Sequence, residues 1–470
     1  MVLLGRHQLK PQHFLIYCSR FRQINVEIFR FLMSIPSSSS RKPPIKIPSS
    51  SPGRKSYKPI TPKDVYPTIM ELRVGVMNYA WGKIGSNSEV ARLIKNDGTV
   101  SIDENKPYAE LWMGTHPNCP SYIKSSGTAL STVLVNYPKY LGDKSIMTFG
   151  LKLPFLFKVL SVRKALSIQV HPDIDRAKKL HKTHPELYKD PNHKPELAIA
   201  LTNFQAMIGF RPFEEIQNNL KEIFEIQDVI GKDAYLTFLG LVDQQTANII
   251  IPQCFRNLMI SSELEIRKAL TAFAHRLKST QNLSAVQANL CTLIIKLYQQ
   301  FPDDVGCFGP IFLNVINLSP GQAIFLGANE IHAYIEGDCI ECMASSDNVI
   351  RAGLTPKFKD VETLCSILNY NGAPQKSKLF QPIKENEFTK LFRPPVNDFA
   401  VAVTEIPKGK TVTLVIRTVA SIALFVKGYG HTHDSIVCSP GTVLFIPANE
   451  EVRIMDVTED ITCYIGLANI

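Results

Sequence analysis

Residues 320–330 read PGQAIFLGANE, and residues 440–450 read PGTVLFIPANE. Six of the eleven positions are identical, and the differences inside the central run exchange one apolar residue for another. A Pro-Gly turn that leads into a short β-strand is typical of double-sheet jelly-roll barrels. The repeat therefore predicts two related β-barrels. It also predicts one active and one structural barrel, because the first copy continues to His332 and the second has Val452 at the matching position.

The length of 470 residues exceeds one ordinary hydrophobic core, so we expect two or three domains. We predict a mainly β fold with an inserted α-helical domain. Residues 1–68 are expected to be a disordered, basic, Ser/Pro-rich extension. Residues 71–211 and 307–372 are expected to build the catalytic barrel, residues 212–306 the helical domain between them, and residues 373–470 the second, degenerate barrel.

Two capping-box spacings mark helix starts inside the expected helical domain, namely Ser262 with Glu265 and Ser284 with Gln287. Apolar residues follow each start at helical period. They are Ile266, Ala269, Leu270, Phe273 and Leu277 after the first start, and Leu290, Leu293, Ile294 and Leu297 after the second.

The charge distribution argues against a nucleic-acid partner. The formal net charge is +10, but residues 1–64 hold 12 Lys/Arg and 2 Asp/Glu, so the rest of the chain carries 40 of each sign. A neutral body offers no electrostatic footprint for a polyanion. No apolar run approaches the roughly 20 residues that span a membrane. We therefore expect neither nucleic acid nor membrane as a partner, and we expect a monomer.

The ten cysteines form no dense framework of the kind that small secreted domains use. Reduced thiols, and hence a cytoplasmic location, are the expectation. Cys339 and Cys342 form a single C-x-x-C in an apolar, strand-like run. A zinc ribbon needs a second such pair, so this spacing predicts ordinary packing.

Two neighbouring segments hold candidate metal ligands. Gln169 and His171 are two residues apart in a strand-like run, so their side chains would project to the same face. Residues 188–196, YKDPNHKPE, follow shortly and offer the carboxylate of Glu196 and the cation of Lys194. Imidazole nitrogens with carboxylate and amide oxygens suit a divalent metal such as zinc. The alternative is a structural histidine beside a solvated, charged loop.

Residues 332–357 concentrate ionisable groups amid apolar strands, which is typical of a pocket wall. His332, Tyr334 and Glu336 alternate, so we expect them to share one strand face. Glu341, Arg351 and Lys357 follow in the same segment.

These segments together resemble the type I mannose-6-phosphate isomerases of the cupin superfamily. Residues 188–196 match the family pattern Y-x-D-x-N-H-K-P-E, and residues 332–357 match its long second motif. Four further segments are similar to the family: residues 78–82, 85–89, 109–116 and 166–172. The similarity runs from about residue 71 to the end, and it is weaker in the helical block and in the C-terminal barrel.

The resemblance implies one zinc ion per chain, held by Gln169, His171, Glu196 and His332. It implies Arg351 as the active-site residue of the second motif. It also implies a cupin fold, and an activity that interconverts mannose 6-phosphate and fructose 6-phosphate. Mannose 6-phosphate formed by this reaction would feed GDP-mannose synthesis and glycosylation. Fructose 6-phosphate formed in the reverse direction would enter glycolysis.

An aldose–ketose isomerase must shuttle one proton between C1 and C2 through an enediol and must bind a phosphate. We expect Glu341 or Lys194 to carry the proton. The cations and hydroxyls that could meet the phosphate are Lys158, Ser167, Arg351 and Lys357. Trp81 and Tyr334 are candidates for lining the sugar pocket, although core packing explains Trp81 equally well.

Two other functions remain open from the sequence. A cupin metal oxygenase would use iron with two His, one carboxylate and open positions, and oxygen uptake would reveal it. A sugar-phosphate-binding cupin without catalysis would fail a coupled isomerase assay.

Overall fold

The computed structural model describes residues 69–95, 101–279 and 285–470. The expected extension of residues 1–68 and Ser284 of the second capping box lie outside these ranges. The described residues form two large antiparallel sheets and a block of helices. The predicted fold class is therefore confirmed.

Residues 69–210 supply the first ten strands: β1 (Met70–Arg73), β2 (Gly75–Met77), β3 (Lys83–Ile84), β4 (Pro107–Tyr108), β5 (Glu110–Met113), β6 (Tyr122–Ile123), β7 (Phe155–Val162), β8 (Ile168–Val170), β9 (Glu196–Ala200) and β10 (Phe204–Phe210). Four helices lie between them: α1 (Glu89–Lys95), α2 (Leu130–Asn136), α3 (Asp143–Phe149) and α4 (Ile174–Thr183).

The helical block comprises α5 (Phe213–Glu222), α6 (Gln227–Ile230), α7 (Lys232–Leu239), α8 (Gln244–Ile260), α9 (Glu263–Ser279) and α10 (Ala285–Gln300). The first capping box is confirmed: the Ser262 N–H donates to the Glu265 carboxylate at 2.8 Å, and the Glu265 N–H donates back to Ser262 Oγ at 3.3 Å. The apolar residues predicted along α9 and α10 are buried. Within the described ranges, we find no helix with the length and apolar character needed to cross a bilayer.

The rest of the chain is again mainly β. Two short helices remain, α11 (Gly309–Phe312) and α12 (Val361–Ile367). The strands are β11 (Leu313–Leu318), β12 (Ala323–Leu326), β13 (His332–Ala344), β14 (Ile350–Gly353), β15 (Leu379–Phe380), β16 (Ile383–Lys384), β17 (Thr389–Phe392), β18 (Ala400–Ile406), β19 (Val412–Thr413), β20 (Ser421–Thr432), β21 (Val437–Cys438), β22 (Val443–Ile446) and β23 (Arg453–Leu467).

The first sheet joins strands from both sides of the helical block, in the order β15-β12-β9-β13-β7-β5-β2, with β8, β10, β11 and β14 attached beside it. The long strand β13 pairs with β7 and β9. This register sets Glu341 opposite Lys158 and Met343 opposite Glu196. Residues far apart in sequence are thereby brought onto one sheet.

The second sheet has the order β16-β17-β18-β23-β20-β22-β1-β6. Strands β1 and β6 lie in the range expected to build the catalytic barrel, yet they belong to this C-terminal sheet. Strand β1 therefore connects the two sheets, because it pairs with β22 while the next strand, β2, belongs to the first sheet. The domain boundaries stay a prediction. The pairing of β1 and β6 with the C-terminal sheet departs from the expected division between the two barrels.

The two copies of the repeat have the same local structure. Gly321 and Gly441 occupy the same place in the two Pro-Gly turns, with φ of +84° and +95°. A side chain would strain this left-handed conformation. Asn329 and Asn449 end the two segments with φ of +64° and +63°. The turns lead into β12 and β22, as the repeat predicted.

A shared apolar layer joins the two sheets. Phe157 and Leu197 from the first sheet pack in one cluster with Phe399, Ile422 and Phe445 from the C-terminal part of the chain. Side chains alternate along a strand, so Glu196, beside Leu197, points away from this layer and into the first barrel. Cys342 also belongs to the layer whereas Cys339 packs on the opposite face, and both thiols are free.

Candidate active site

The first barrel contains a cavity of about 500 Å³. Ten of the twelve side chains that the sequence predicted for the site line it: Trp81, Lys158, Ser167, Gln169, Lys194, Glu196, Tyr334, Glu341, Arg351 and Lys357. The other two, His171 and His332, are buried against Glu196. The fold therefore assembles the predicted residues around one space.

Three buried side chains form a cluster with metal-ligand geometry. His171 Nε2 lies 3.4 Å from Glu196 Oε1, and His332 Nε2 lies 3.3 Å from Glu196 Oε2. One ligand atom from each residue falls within 4.8 Å of the others. Glu196 begins β9, His332 begins β13, and His171 follows β8, so three strands position the cluster.

The hydrogen bonds of the two imidazoles show which of their nitrogen atoms are left without a partner. His171 Nδ1 lies 2.7 Å from the carbonyl oxygen of Asn348, and His332 Nδ1 lies 2.9 Å from that of Glu330. A carbonyl only accepts, so each Nδ1 carries a proton, and Nε2 is the atom left to bind a metal. Both Nε2 atoms and Glu196 Oε2 are buried without a hydrogen-bond partner. Converging acceptors of this kind fit a divalent cation.

Burial lowers the pKa of His171 to about 4, so its ring is neutral and able to bind a metal near pH 7. Burial opposes ionisation of Glu196. The neighbouring imidazole of His171 and the ammonium of Lys194, 3.3 Å from Oε1, outweigh that effect and hold the pKa of Glu196 well below its usual value. His171 therefore offers a neutral ring, and Glu196 a carboxylate anion, to the cluster.

Gln169 and Arg351 lie beside the cluster on neighbouring strands. In the β-sheet register, Gln169 of β8 is opposite His332 on one side and opposite Arg351 of β14 on the other. Directly opposed residues share a face, so these three side chains form a row. Burial lowers the pKa of Arg351, and among the described residues we find no carboxylate paired with it. Its guanidinium is open to an anionic ligand.

Glu110, Lys158 and Glu341 form a charged group within the cavity wall. Lys158 Nζ lies 3.0 Å from Glu341 Oε2 and 3.5 Å from Glu110 Oε2. Burial disfavours the ammonium, but the two carboxylates outweigh it and raise the pKa of Lys158 above its usual value. Burial also raises the pKa of Glu341, against the lowering effect of Lys158. Lys158 is therefore a charged residue whose charge is already compensated.

Ser167, Lys357 and Thr355 line the cavity together with Arg351. Burial and the nearby Arg351 both lower the pKa of Lys357, which means that two cations share a partly buried space. No carboxylate of the described chain pairs with Lys357. This group is suited to a doubly charged anion.

Trp81 and Tyr334 line the cavity as predicted. Trp81 stacks on Tyr79 with ring centroids 5.8 Å apart. Burial raises the pKa of Tyr334 well above its usual value, and its hydroxyl oxygen has no hydrogen-bond partner in the protein. A neutral, unsatisfied hydroxyl in a cavity is available to a polar ligand.

The sequence reasoning assigned no role to Glu110, Trp112 and His116, which also line the cavity, whereas Asp347 lies in the segment predicted as a pocket wall and does line it. The indole N–H of Trp112 donates to Glu110 at 2.5 Å, and His116 Nε2 lies 3.4 Å from Asp347 Oδ1. The alternation of Glu110 and Trp112 along β5 was a usable signal, because residues two apart share a face.

The prediction that Glu336 shares a face with His332 and Tyr334 is wrong. Glu336 is exposed and lies 2.6 Å from Lys296 Nζ on the outer surface. The register of β13 against β10 shifts between Tyr334 and Glu336, and such a bulge breaks the alternation.

Comparison with known families gives two adjoining matches. Residues 69–213 match the sequence model of the phosphomannose isomerase type I catalytic domain. Residues 213–313 match that of the type I helical insertion domain.

Among curated proteins, the chain is similar to the mannose-6-phosphate isomerases of Homo sapiens and Schizosaccharomyces pombe. It is 45% identical to the human protein over 403 residues, which cover 83% of this chain and 95% of the human one. It is 41% identical to the yeast protein over 409 residues, covering 84% and 98%.

Among solved structures, the chain is similar to the Salmonella typhimurium mannose 6-phosphate isomerase bound to fructose 6-phosphate and zinc. The TM-score is 0.74 at 32% identity, covering 86% of this chain and 100% of that one. A mannose 6-phosphate isomerase bound with zinc and yttrium gives a TM-score of 0.75, with the same identity and coverage.

Proposed function

The chain belongs to the phosphomannose isomerase type I family, and on that premise we propose that it interconverts D-mannose 6-phosphate and D-fructose 6-phosphate through an enediol. One observation carries the proposal. The acceptor atoms of His171 and His332 converge on Glu196, which lines a cavity of about 500 Å³ that is also lined by the unpaired cation of Arg351. The cavity thus combines a metal site with an anion site, which a phosphorylated sugar requires.

We assign one zinc ion per chain to Gln169, His171, Glu196 and His332. The orphaned Nε2 atoms and the low pKa of His171 support this set, and related solved structures hold zinc. Zinc, when bound, supplies a positive charge that polarises a sugar oxygen. The carbonyl oxygens of Asn348 and Glu330 keep both imidazoles in the tautomer that can bind it.

Glu341 is our choice for the proton carrier over Lys194. A general base works best when its pKa lies near the operating pH, and burial moves the pKa of Glu341 in that direction. Lys194 instead lies 3.3 Å from Glu196 and offsets the charge of that ligand. Glu341 takes the proton from one carbon of the sugar and returns it to the neighbouring carbon.

We assign Arg351 to stabilising negative charge that develops on the sugar oxygen, and its position opposite Gln169 in the sheet supports this role. Lys357 and Ser167 are our choice for the phosphate. Lys158 was a candidate for that role, but its ammonium is paired with Glu341 and Glu110. We assign Lys158 to holding Glu341 in place, and Trp81 and Tyr334 to the wall against the sugar.

Other predictions from the sequence stay proposals. The nine cysteines of the described chain are free, which supports a reducing compartment such as the cytoplasm. A role in supplying GDP-mannose synthesis and a monomeric state stay predictions. The oxygenase and the non-catalytic cupin are disfavoured by family membership, because the curated relatives are named as isomerases.

A coupled assay tests the proposal. Mannose 6-phosphate is supplied with phosphoglucose isomerase and glucose-6-phosphate dehydrogenase, and NADPH formation is followed with and without a chelator. We expect turnover that the chelator abolishes and added zinc restores. No turnover by the zinc-loaded protein, or full turnover by metal-free protein, would contradict the proposal.

A further inference from the structure

The loop of residues 188–196 carries two of the proposed site residues, Lys194 and Glu196, yet it contains no helix or strand before β9 begins. Catalytic side chains on irregular backbone need support from neighbouring parts of the fold. The source of that support decides which parts of the protein influence the metal site.

The inner side of the loop is fastened to the catalytic barrel. Ser346 Oγ donates to the Asp190 carboxylate at 2.9 Å, and Asn348 Nδ2 donates to the Asn192 carbonyl at 2.9 Å. The backbone carbonyl of the same Asn348 accepts from His171. The loop and one proposed ligand are thereby tied together.

The outer side of the loop is fastened to the other sheet. His193 Nε2 lies 3.0 Å from Asp398 Oδ2, and a carboxylate accepts, so the imidazole N–H donates. Asp398 is 8% exposed and stands just before β18 of the C-terminal sheet. This contact reaches the loop one residue before Lys194 and three before Glu196.

Asp398 is itself held in place by the C-terminal end of the chain. Asn469 Nδ2 donates to the carbonyl oxygens of Pro394 and Val396 at 2.8 and 2.7 Å, and its backbone N–H donates to that of Asn397 at 3.0 Å. The next residue, Phe399, is fully buried in the layer between the sheets, where Leu197 also packs. The segment that presents Asp398 is therefore a built support.

We propose that His193 and Asp398 are positioning residues through which the C-terminal sheet holds the loop that carries Lys194 and Glu196. The C-terminal sheet then serves the reaction without contributing a group that touches the substrate. Only the turnover measurement in the test of this inference rests on the proposed function. Zinc affinity reports on the position of the loop whether or not the protein is an isomerase.

The experiment uses full-length protein and measures the zinc dissociation constant by competition with a fluorescent chelator, together with kcat and KM for mannose 6-phosphate. We expect Asp398→Ala to weaken zinc binding by about three- to tenfold, less than the 10–100-fold typical of a direct partner of a metal ligand. We expect kcat to fall with KM little changed. Asp398→Asn should stay near wild type, because an amide oxygen still accepts from His193.

Two further variants separate positioning from general stability. His193→Ala should match Asp398→Ala, and the double variant should be no worse than either, since both changes remove one contact. Glu385→Ala breaks the partly buried pair with Arg417 inside the C-terminal sheet region. It should lower the melting temperature and leave the zinc affinity unchanged.

Wild-type zinc affinity and kcat in Asp398→Ala would overturn the inference, and so would additive losses in the double variant. Failure of the isomerase function itself would appear differently. The wild-type protein would then show no turnover, while the zinc affinities of the variants would still confirm or refute the contact.

Discussion

The two copies of the repeat have the same turn geometry, but the strands around them carry very different side chains. In the first, β12 pairs with β9 so that Leu326 is opposite Glu196. In the second, β22 pairs with β20 so that Ile446, the match of Leu326, is opposite Ser421. The Gly321 N–H donates to Ala200 and the Gly441 N–H to Phe425, both at 2.8 Å. Turn geometry and register are therefore preserved.

Strand register matches three of the proposed site residues with residues of the second sheet: Glu196 with Ser421, Glu341 with Ile465, and Lys158 with Ala402. The alignment of the repeat matches His332 with Val452. Every ionisable group of the set is replaced by a small or uncharged residue. The second barrel is filled instead by an apolar cluster that includes Phe425, Ile454 and Cys463.

The difference teaches that the fold and the chemistry depend on separate residues. The Pro-Gly turn, the left-handed Asn and the outward apolar faces are common to both copies, so they specify the barrel. The inward polar residues are confined to the first barrel, where their burial is tolerated because they pair with each other and converge on the proposed metal site. Exchanging residues between the copies tests this division.

The largest effect is expected at His332. His332→Ala removes one ligand, so we expect bound zinc to be lost and turnover to fall by at least about 10³-fold, the upper range for losing one electrostatic stabiliser. Atomic-emission analysis of the purified protein measures the metal. The reciprocal change Val452→His should gain no zinc, because no carboxylate stands at Ser421.

Val452→His should also cost about 1–3 kcal/mol of unfolding free energy, since it buries an imidazole without a partner. Full zinc content in His332→Ala would contradict the ligand assignment. Zinc gained by Val452→His would contradict the division between the copies.

The next effect is expected at Glu341, where the second copy has Ile465. Glu341→Gln preserves shape but removes the base, so we expect kcat to fall by about 10²–10⁴-fold. Exchange of the substrate C2 proton with solvent deuterium, followed by NMR, should slow in parallel. Zinc content should stay at one per chain, and unchanged exchange would move the proton role to another residue.

The third-largest loss of activity is expected for substitution of Arg351. Arg351→Ala should fold and retain zinc, while kcat/KM falls by about 10²–10³-fold through loss of the charge facing the reacting oxygen. Steady-state kinetics with metal analysis on the same preparation checks both. Arg351→Lys is the matched control, because it keeps the charge and loses the planar fork. Near-normal turnover of the alanine variant would remove Arg351 from the mechanism.

The smallest effect on the chemistry is expected from the core of the second barrel. Phe425 is fully buried, and Phe425→Ala should lower the free energy of unfolding by about 3–5 kcal/mol. Denaturant titration measures that loss. The folded fraction should keep its zinc and its kcat, and a large fall in kcat per folded molecule would show that the two copies are not separable in this way.

Much of the fold could be predicted because the deciding signals are local. The repeat fixed two matching turns, and Ser262 with Glu265 fixed a helix start, since both depend on neighbours in sequence. The proposed metal ligands at positions 169, 171, 196 and 332 were recognisable because long motifs surround them. His171, Glu196 and His332 form one buried cluster, and strand register sets Gln169 opposite His332.

The rest depends on contacts between distant segments, which sequence spacing does not encode. Nothing near Met70 indicates that β1 pairs with β22, where Met70 is opposite Phe445. The pairing of Lys158 with Glu110 was hidden for the same reason. Glu336 was misplaced because a bulge in β13 interrupts the strand alternation, and bulges carry no reliable sequence signal.

Anomalous X-ray diffraction at the zinc absorption edge tests the central claim most directly. We predict one strong peak per chain, within bonding distance of His171 Nε2, His332 Nε2 and the Glu196 carboxylate, with Gln169 beside it. A peak located only elsewhere, or none in crystals of catalytically active protein, would contradict the account.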